Sequence, residues 1–316
     1  MERKNVIELS KWKRSSYRLP LLVSGARQIG KTHSILYFGA KEYKNVVNIN
    51  FEINKPFREI FEQNLEPQRI IREISVQSGE TLFPHETLIF FDEIQSCPAA
   101  LHSLKYFFEQ MPDYHIVAAG SLLGVALNRE GFSFPVGKVM QMQMYPLDFE
   151  EFLWAFGQAE AAKMIRECFD DNVKCFSHDK LMEYYLLYIQ IGGMPQVVQH
   201  YIDHKDFTFV RALQQNIITN YIADMGKYST PALTSKTIAV FQSIPAQLAK
   251  ENHKFLFKII KSGARAKEYQ ESLDWLANSD IVRKCTMVST GSFPLSAFAN
   301  PAFYKVYLSD VGLLAA

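Results

Sequence analysis

Leu21-Leu22-Val23-Ser24-Gly25-Ala26-Arg27-Gln28-Ile29-Gly30-Lys31-Thr32 decides how the rest of this chain is read. An apolar run, Leu19–Ser24, leads into Gly25-x-x-x-x-Gly30-Lys31-Thr32, and Ser34–Tyr43 follows with the composition of a helix. Strand, glycine loop and helix in that order are the setting of a Walker A phosphate-binding loop. Glycines admit the positive φ angles needed to wrap backbone around a β-phosphate. The N–H groups of the loop and of the helix N-terminus then face the anion. Gly25, Ala26, Arg27, Gln28, Ile29, Gly30, Lys31, Thr32 and His33 are therefore the expected nucleotide-binding residues. Lys31 is expected to reach the β- and γ-phosphates, and Thr32 to offer its hydroxyl to Mg2+.

A second run, Leu88-Ile89-Phe90-Phe91, ends in Asp92-Glu93. A carboxylate that closes a buried strand sits at the edge of an open α/β sheet where ligands bind. Asp92 is the expected second Mg2+ ligand, and Glu93 the expected base that polarises the attacking water. Gln95 could touch that water or relay a signal. A third run, His115–Ala119, is followed by Gly120-Ser121. If its strand lies between the other two, Ser121 falls at a sensor position near the γ-phosphate. Otherwise it is a turn-capping serine. Guanine recognition would need Asn-Lys-x-Asp, and Asn54-Lys55-Pro56-Phe57 fails at its fourth place. ATP is the expected nucleotide.

Two further runs, Asn45–Phe51 and the alternating Lys138–Tyr145, complete five expected strands. Together they predict an α/β P-loop NTPase sandwich with a mostly parallel sheet over residues 1–145. From Pro146 the periodicity turns helical, with Phe149, Phe152, Leu153 and Phe156 at spacings of three and four. Gly192-Gly193-Met194-Pro195 breaks this region between two helices. Residues 146–229 are expected as a lid-like helical segment. Residues 230–316 are expected as a winged-helix-like region, with helices near Thr234–Ala249 and Ala266–Ala277 and strands at Ile281–Ser289 and Tyr304–Leu308.

Composition sets outer bounds. With 316 residues and 48% hydrophobic content, the chain can bury more than one core. A net charge of +1 does not announce a nucleic-acid binder, although a basic face can hide inside a neutral total. No apolar run approaches the ~18–20 residues of a membrane span, and the charged start, Met1-Glu2-Arg3-Lys4-Asn5, is unlike a signal peptide. A cytoplasmic address and no membrane partner are expected. Cys97, Cys168, Cys175 and Cys285 form no C-x-x-C pair, and the histidines form no H-E-x-x-H.

The motifs taken together resemble the prokaryotic AAA-superfamily ATPases that carry a C-terminal domain of unknown function with a restriction-endonuclease-like fold. The resemblance rests on the Walker A loop, Phe91-Asp92-Glu93-Ile94-Gln95, Ala119-Gly120-Ser121 and Tyr145-Pro146-Leu147-Asp148-Phe149-Glu150-Glu151-Phe152-Leu153. It extends to Gly192-Gly193-Met194-Pro195, Ala264-Arg265-Ala266-Lys267-Glu268-Tyr269 and Leu308-Ser309-Asp310-Val311-Gly312-Leu313-Leu314. It implies an arginine after Gly137 that stabilises γ-phosphate charge, and here Lys138 stands there. A lysine keeps the charge but lacks the bidentate fork. Lys138 is the expected catalytic cation, delivered by a neighbouring subunit of a homo-oligomer, with Arg129 as the alternative.

The resemblance also implies a chain that continues past Gly312-Leu313-Leu314, so this one is expected to end early in the C-terminal domain. A nuclease core needs Asp followed by Glu/Asp-x-Lys. Glu2-Arg3-Lys4 and Glu42-Tyr43-Lys44 have no aspartate before them, so no nuclease is expected. Lys258, Lys261, Arg265 and Lys267 form a basic cluster that could contact DNA phosphates or be a solvated helix face. Two functions follow as expectations: an ATP-hydrolysing molecular switch, or an ATP-regulated module that binds DNA or a protein with negligible turnover.

Overall fold

Runs that are apolar at almost every position become the inner strands of one parallel sheet. Its strands are β1 (Leu21–Ser24), β2 (Asn45–Asn50), β3 (Thr87–Asp92), β4 (His115–Ala119) and β5 (Met140–Gln143), in the order β2-β3-β4-β1-β5. Every residue of β3 and β4 is buried, which fits strands covered by helices on both faces. At β5, by contrast, Met140, Gln141 and Gln143 are exposed, and its sequence alternates because it is an edge. All five expected strands are present, each within a few residues of its expected limits. β4 lies between β3 and β1, with Leu88 paired to His115 and Leu21 to Val117.

The computed structural model describes residues 1–127, 135–227, 229–251 and 254–316. The chain divides into two compact units, Met1–Ala159 and Glu160–Ala316. Parallel neighbours need crossover connections. In the first unit α2 (Lys31–Glu42) follows β1, after an N-terminal α1 (Lys4–Arg14). The other helices are α3 (Lys55–Gln63) and α4 (Pro67–Ser78) before β3, α5 (Pro98–Gln110) before β4, and α6 (Leu123–Leu127) and α7 (Phe149–Ala155) on either side of β5.

Phe51, Phe61 and Phe91 meet at ring-centroid distances of 5.4–5.6 Å in the core. Near the start of β4 the hydroxyl of Tyr43 lies 2.7 Å from Nδ1 of buried His115. Burial, followed by the charges of Arg18, His85 and Lys13, pushes the His115 imidazole down to about 3. The ring is therefore neutral at ordinary pH. The helix α1 was not expected from its charged sequence. Its buried face is Leu9 and Trp12, and the Trp12 indole N–H donates to the Leu19 carbonyl at 2.8 Å.

The second unit begins with α8 (Ala159–Asp170), α9 (His178–Ile191), α10 (Pro195–His204) and α11 (Phe207–Asp224). The chain then forms α12 (Pro231–Leu248), α13 (Ala266–Asn278), the antiparallel pair β6 (Val282–Val288) and β7 (Ala299–Leu308), and α14 (Val311–Ala315). Gln247 of α12 is buried and pairs with both backbone groups of Leu256 at 2.9 Å, while Phe255 N–H donates to the Tyr304 carbonyl of β7 at 2.9 Å.

Two sequence motifs of this unit meet. The Asp310 carboxylate accepts the N–H of Gly193 at 2.6 Å and caps α14 through Leu313 N–H at 3.1 Å. A Cβ on Gly312 would lie 2.3 Å from the Ile191 carbonyl oxygen, so this approach of α14 to the end of α9 requires glycine. Among the described residues no helix is long and apolar enough to cross a membrane.

Candidate active site

The loop between β1 and α2 lies at the carboxyl end of the sheet. Gly25 has φ 147°, and a Cβ there would meet Ile29 Cδ1 and the Met144 carbonyl oxygen, each at 2.5 Å. Gln28 adopts φ 64°, and Gly30, with φ 88°, is the N-cap of α2. The loop is thus held in backbone geometry that most residues avoid. Lys31 is 8% exposed, and its ammonium donates to the carbonyls of Gly25 and Ala26 at 2.9 and 2.7 Å. That places Nζ across the mouth of the loop. His33 is exposed on the first turn of α2.

Arg3 holds the loop from behind. Its guanidinium donates to the Ile29 carbonyl at 3.1 Å, the Tyr145 carbonyl at 2.7 Å and Glu151 Oε1 at 3.1 Å. Glu151 also accepts the N–H groups of Lys4 at 2.7 Å and Asp148 at 3.2 Å, the latter closing a capping box on α7. One buried ion pair therefore fixes the start of α1, the end of the loop and the start of α7. Sequence reasoning missed Arg3, which carries no local signal, and noted Glu151 only as part of a motif.

Across β3 the Thr32 hydroxyl lies 3.2–3.3 Å from both Asp92 oxygens, and Asn50 Nδ2 donates to Asp92 Oδ2 at 3.3 Å. The register pairs Asn50 directly with Asp92. A polar residue ending the neighbouring strand was the signal that could have found Asn50. Burial raises the Asp92 carboxyl above its usual range, the adjacent Glu93 adds to this, and hydrogen bonds from Thr32, Glu93 N–H and Asn50 pull it back. One hydroxyl and one carboxylate at the mouth of a phosphate loop fit Mg2+, which takes most of its ligands from phosphate and water. A cation there would offset the burial of Asp92.

Glu93 stands in the left-handed region with φ 50°. Its Oε2 accepts from Ser121 Oγ at 3.2 Å and from the side-chain amide of Gln95. Ser121 in turn accepts from Arg27 Nε at 3.2 Å. Because β4 lies between β1 and β3, Ser121 is brought between the loop and the acidic pair, as the sensor reading requires.

Lys138 is not brought to this site. It precedes β5, whose first residue pairs with the first residue of β1, at the opposite edge of the sheet from the loop. There its ammonium is 3.1 Å from Glu109 and lies over the Phe108 ring. The expectation placed it at the loop of a neighbouring copy, and within its own chain it stays away from the loop. Arg129 lies outside the described residues.

A family model described as an AAA domain matches residues 17–153, and one described as a domain of unknown function matches residues 182–316. A search of curated proteins finds no match. Among solved structures, a Walker-type ATPase of Pyrococcus abyssi is similar over 99% of this chain and 94% of its own, at 14% identity and a TM-score of 0.59. The ORC2 protein of Aeropyrum pernix aligns over 99% and 91% at 12% identity and a TM-score of 0.42. The RuvB Holliday junction branch migration motor of Thermotoga maritima aligns over 97% and 92% at 12% identity and a TM-score of 0.39. The first unit accordingly has the fold of an AAA-type P-loop ATPase, followed by a helical C-terminal region.

Proposed function

We propose that this AAA-type P-loop domain binds Mg-ATP and hydrolyses it to ADP and phosphate, and that the cycle serves as a molecular switch. The observation that carries this reading is the convergence of Thr32, Asp92, Glu93 and Ser121 beside a loop whose lysine spans its own mouth. Lys31 would leave the Gly25 and Ala26 carbonyls for the β- and γ-phosphate oxygens. Thr32 and Asp92 would hold the cation; when bound, Mg2+ neutralises charge across those phosphates. Glu93 would orient a water and take its proton as the water oxygen attacks the γ-phosphorus and the bond to ADP breaks. Ser121 would meet the γ-phosphate or the water. Rate enhancement would come from positioning and electrostatics.

A second reading, an ATP-regulated DNA- or protein-binding module with negligible turnover, is favoured by Lys138. It stands where the resemblance implies an arginine, lacks that residue's bidentate fork, and is paired with Glu109. The succession α12, α13, β6, β7 supports a winged-helix-like reading of the second unit, in which exposed Lys258, Lys261, Arg265 and Lys267 would contact phosphate. ATP turnover, measured with and without duplex DNA across a hundredfold range of protein concentration, separates the two. Turnover above that of Lys31→Ala supports the enzyme, and a rate per chain that rises with concentration supports a site completed by a second copy. Tight ATP binding with no turnover under any condition supports the binding module.

A further inference from the structure

Gln95 makes one polar side-chain contact among the described residues, and it is to Glu93. Its Nε2 donates to Glu93 Oε2, while its Oε1, facing Gly120, is buried without a hydrogen-bond partner among the described residues. The orientation of the amide follows from chemistry. The reverse would set an amide oxygen against a carboxylate oxygen and lose the only bond made. A buried amide that served packing alone would cost less as a methionine, since one end is left unsatisfied. The amide stands where its one interaction fixes a carboxylate.

The second donor on Oε2 is fixed the same way. Arg27 can only donate, so its Nε–H to Ser121 Oγ uses a lone pair of that hydroxyl, and the Ser121 proton goes to Glu93. Both donors therefore converge on one carboxylate oxygen, Oε2. Glu93 Oε1 is the oxygen that neither of them uses. The φ of 50° at Glu93 adds a backbone strained toward this pose.

We infer that Gln95 is a positioning residue for hydrolysis: with Ser121 it pins Oε2 of Glu93, so that Oε1 is presented to the attacking water. The inference rests on the hydrolytic reading of the site. Binding of ATP does not need this contact, because Gln95 touches neither the loop nor Asp92 among the described contacts. Loss of the amide frees the Glu93 side chain to leave its line of attack, and misplacement of a catalytic group by about 1 Å costs up to about 100-fold in rate.

Single-turnover hydrolysis and the affinity for a fluorescent ATP analogue, measured on the full chain, test this. Gln95→Met keeps the volume and removes the donor. It should lower the hydrolysis rate about 10–100-fold and leave affinity within about twofold of wild type. Gly120→Ala reaches the same amide from outside, since its Cβ would lie 2.3 Å from Gln95 Oε1. It should show the same split, and the double variant should be no slower than the slower single one. An unchanged or faster rate in Gln95→Met, or a loss of rate matched by a loss of affinity, would overturn the positioning role. If wild type turns over and Gln95→Met is indifferent, this inference alone fails. If wild type is no faster than Lys31→Ala, the hydrolytic reading fails and takes this inference with it.

Discussion

Arg3 and Glu151 form a buried ion pair at 3.1 Å across 148 residues of chain, and the same guanidinium holds a carbonyl of the phosphate loop. The pair explains why the acidic residues after Pro146 matter to the site: one of them anchors the residue that braces the loop.

Arg3→Ala leaves the Glu151 carboxylate and two carbonyls short of partners. Breaking a buried pair at one end costs about 3–5 kcal/mol, which for a unit of this size lowers the melting temperature by roughly 10 °C. Arg3→Met with Glu151→Leu leaves no charge buried alone. It still strips partners from the Ile29 and Tyr145 carbonyls and the Lys4 and Asp148 N–H groups, so it should recover only part of that loss. Thermal melts of both variants check it, and Arg3→Ala melting with wild type contradicts it.

Burial pushes Asp310 up to about 6, against the pull of the Gly193, Leu313 and Gly312 N–H groups. Its folded value is raised above the unfolded one, so the native state holds the proton more tightly. The stability it contributes is complete below pH ~4 and lost as pH rises through ~6, by about 3 kcal/mol in all. Hydrogen exchange of α9 and α14 at pH 4.5 and 7, corrected for intrinsic rates, should show that loss in wild type and a flatter response in Asp310→Asn.

His115 acts in the other direction. Its folded value is depressed, so its contribution is present above pH ~6.5 and lost as pH falls toward ~3. Asp92, raised by burial in the same unit, has the opposite sign. The His115 contribution is therefore the difference between wild type and His115→Gln, and that difference should shrink as denaturant midpoints are followed from pH 7 to pH 4.

Lys31→Ala should weaken binding of a fluorescent ATP analogue about 100-fold or more, the worth of two charge-assisted hydrogen bonds at about 1.5–3 kcal/mol each. Arg27 cannot substitute, since it is engaged with Ser121. Unchanged affinity would remove Lys31 from the phosphate site.

The sheet was legible in the sequence because apolar runs buried on both faces announce themselves residue by residue, and the loop and Asp92-Glu93 because spacing encodes their chemistry. The place of Ser121 beside Glu93 was legible only conditionally, since it depended on β4 lying between β1 and β3. Arg3 and Asn50 were not found. Arg3 acts through side-chain reach from the opposite end of the unit, and Asn50 through strand register, neither of which leaves a local pattern. Lys138 was placed at the chemistry by resemblance, and strand direction puts it at the far edge of its own sheet. The sharing of Glu93 by Ser121 and Gln95 was invisible for the same reason as Asn50: the turn after β3 and the turn after β4 meet only once those strands pair.

The central claim is that Glu93 is the base of a hydrolytic site, and single-turnover release of phosphate from γ-labelled ATP tests it most directly. Glu93→Gln keeps the shape and the hydrogen bond from Ser121 but cannot take a proton. The account predicts that it binds Mg-ATP as wild type does and releases phosphate about 10²–10⁴-fold more slowly. Phosphate release at the wild-type rate by Glu93→Gln, with binding intact, would contradict it.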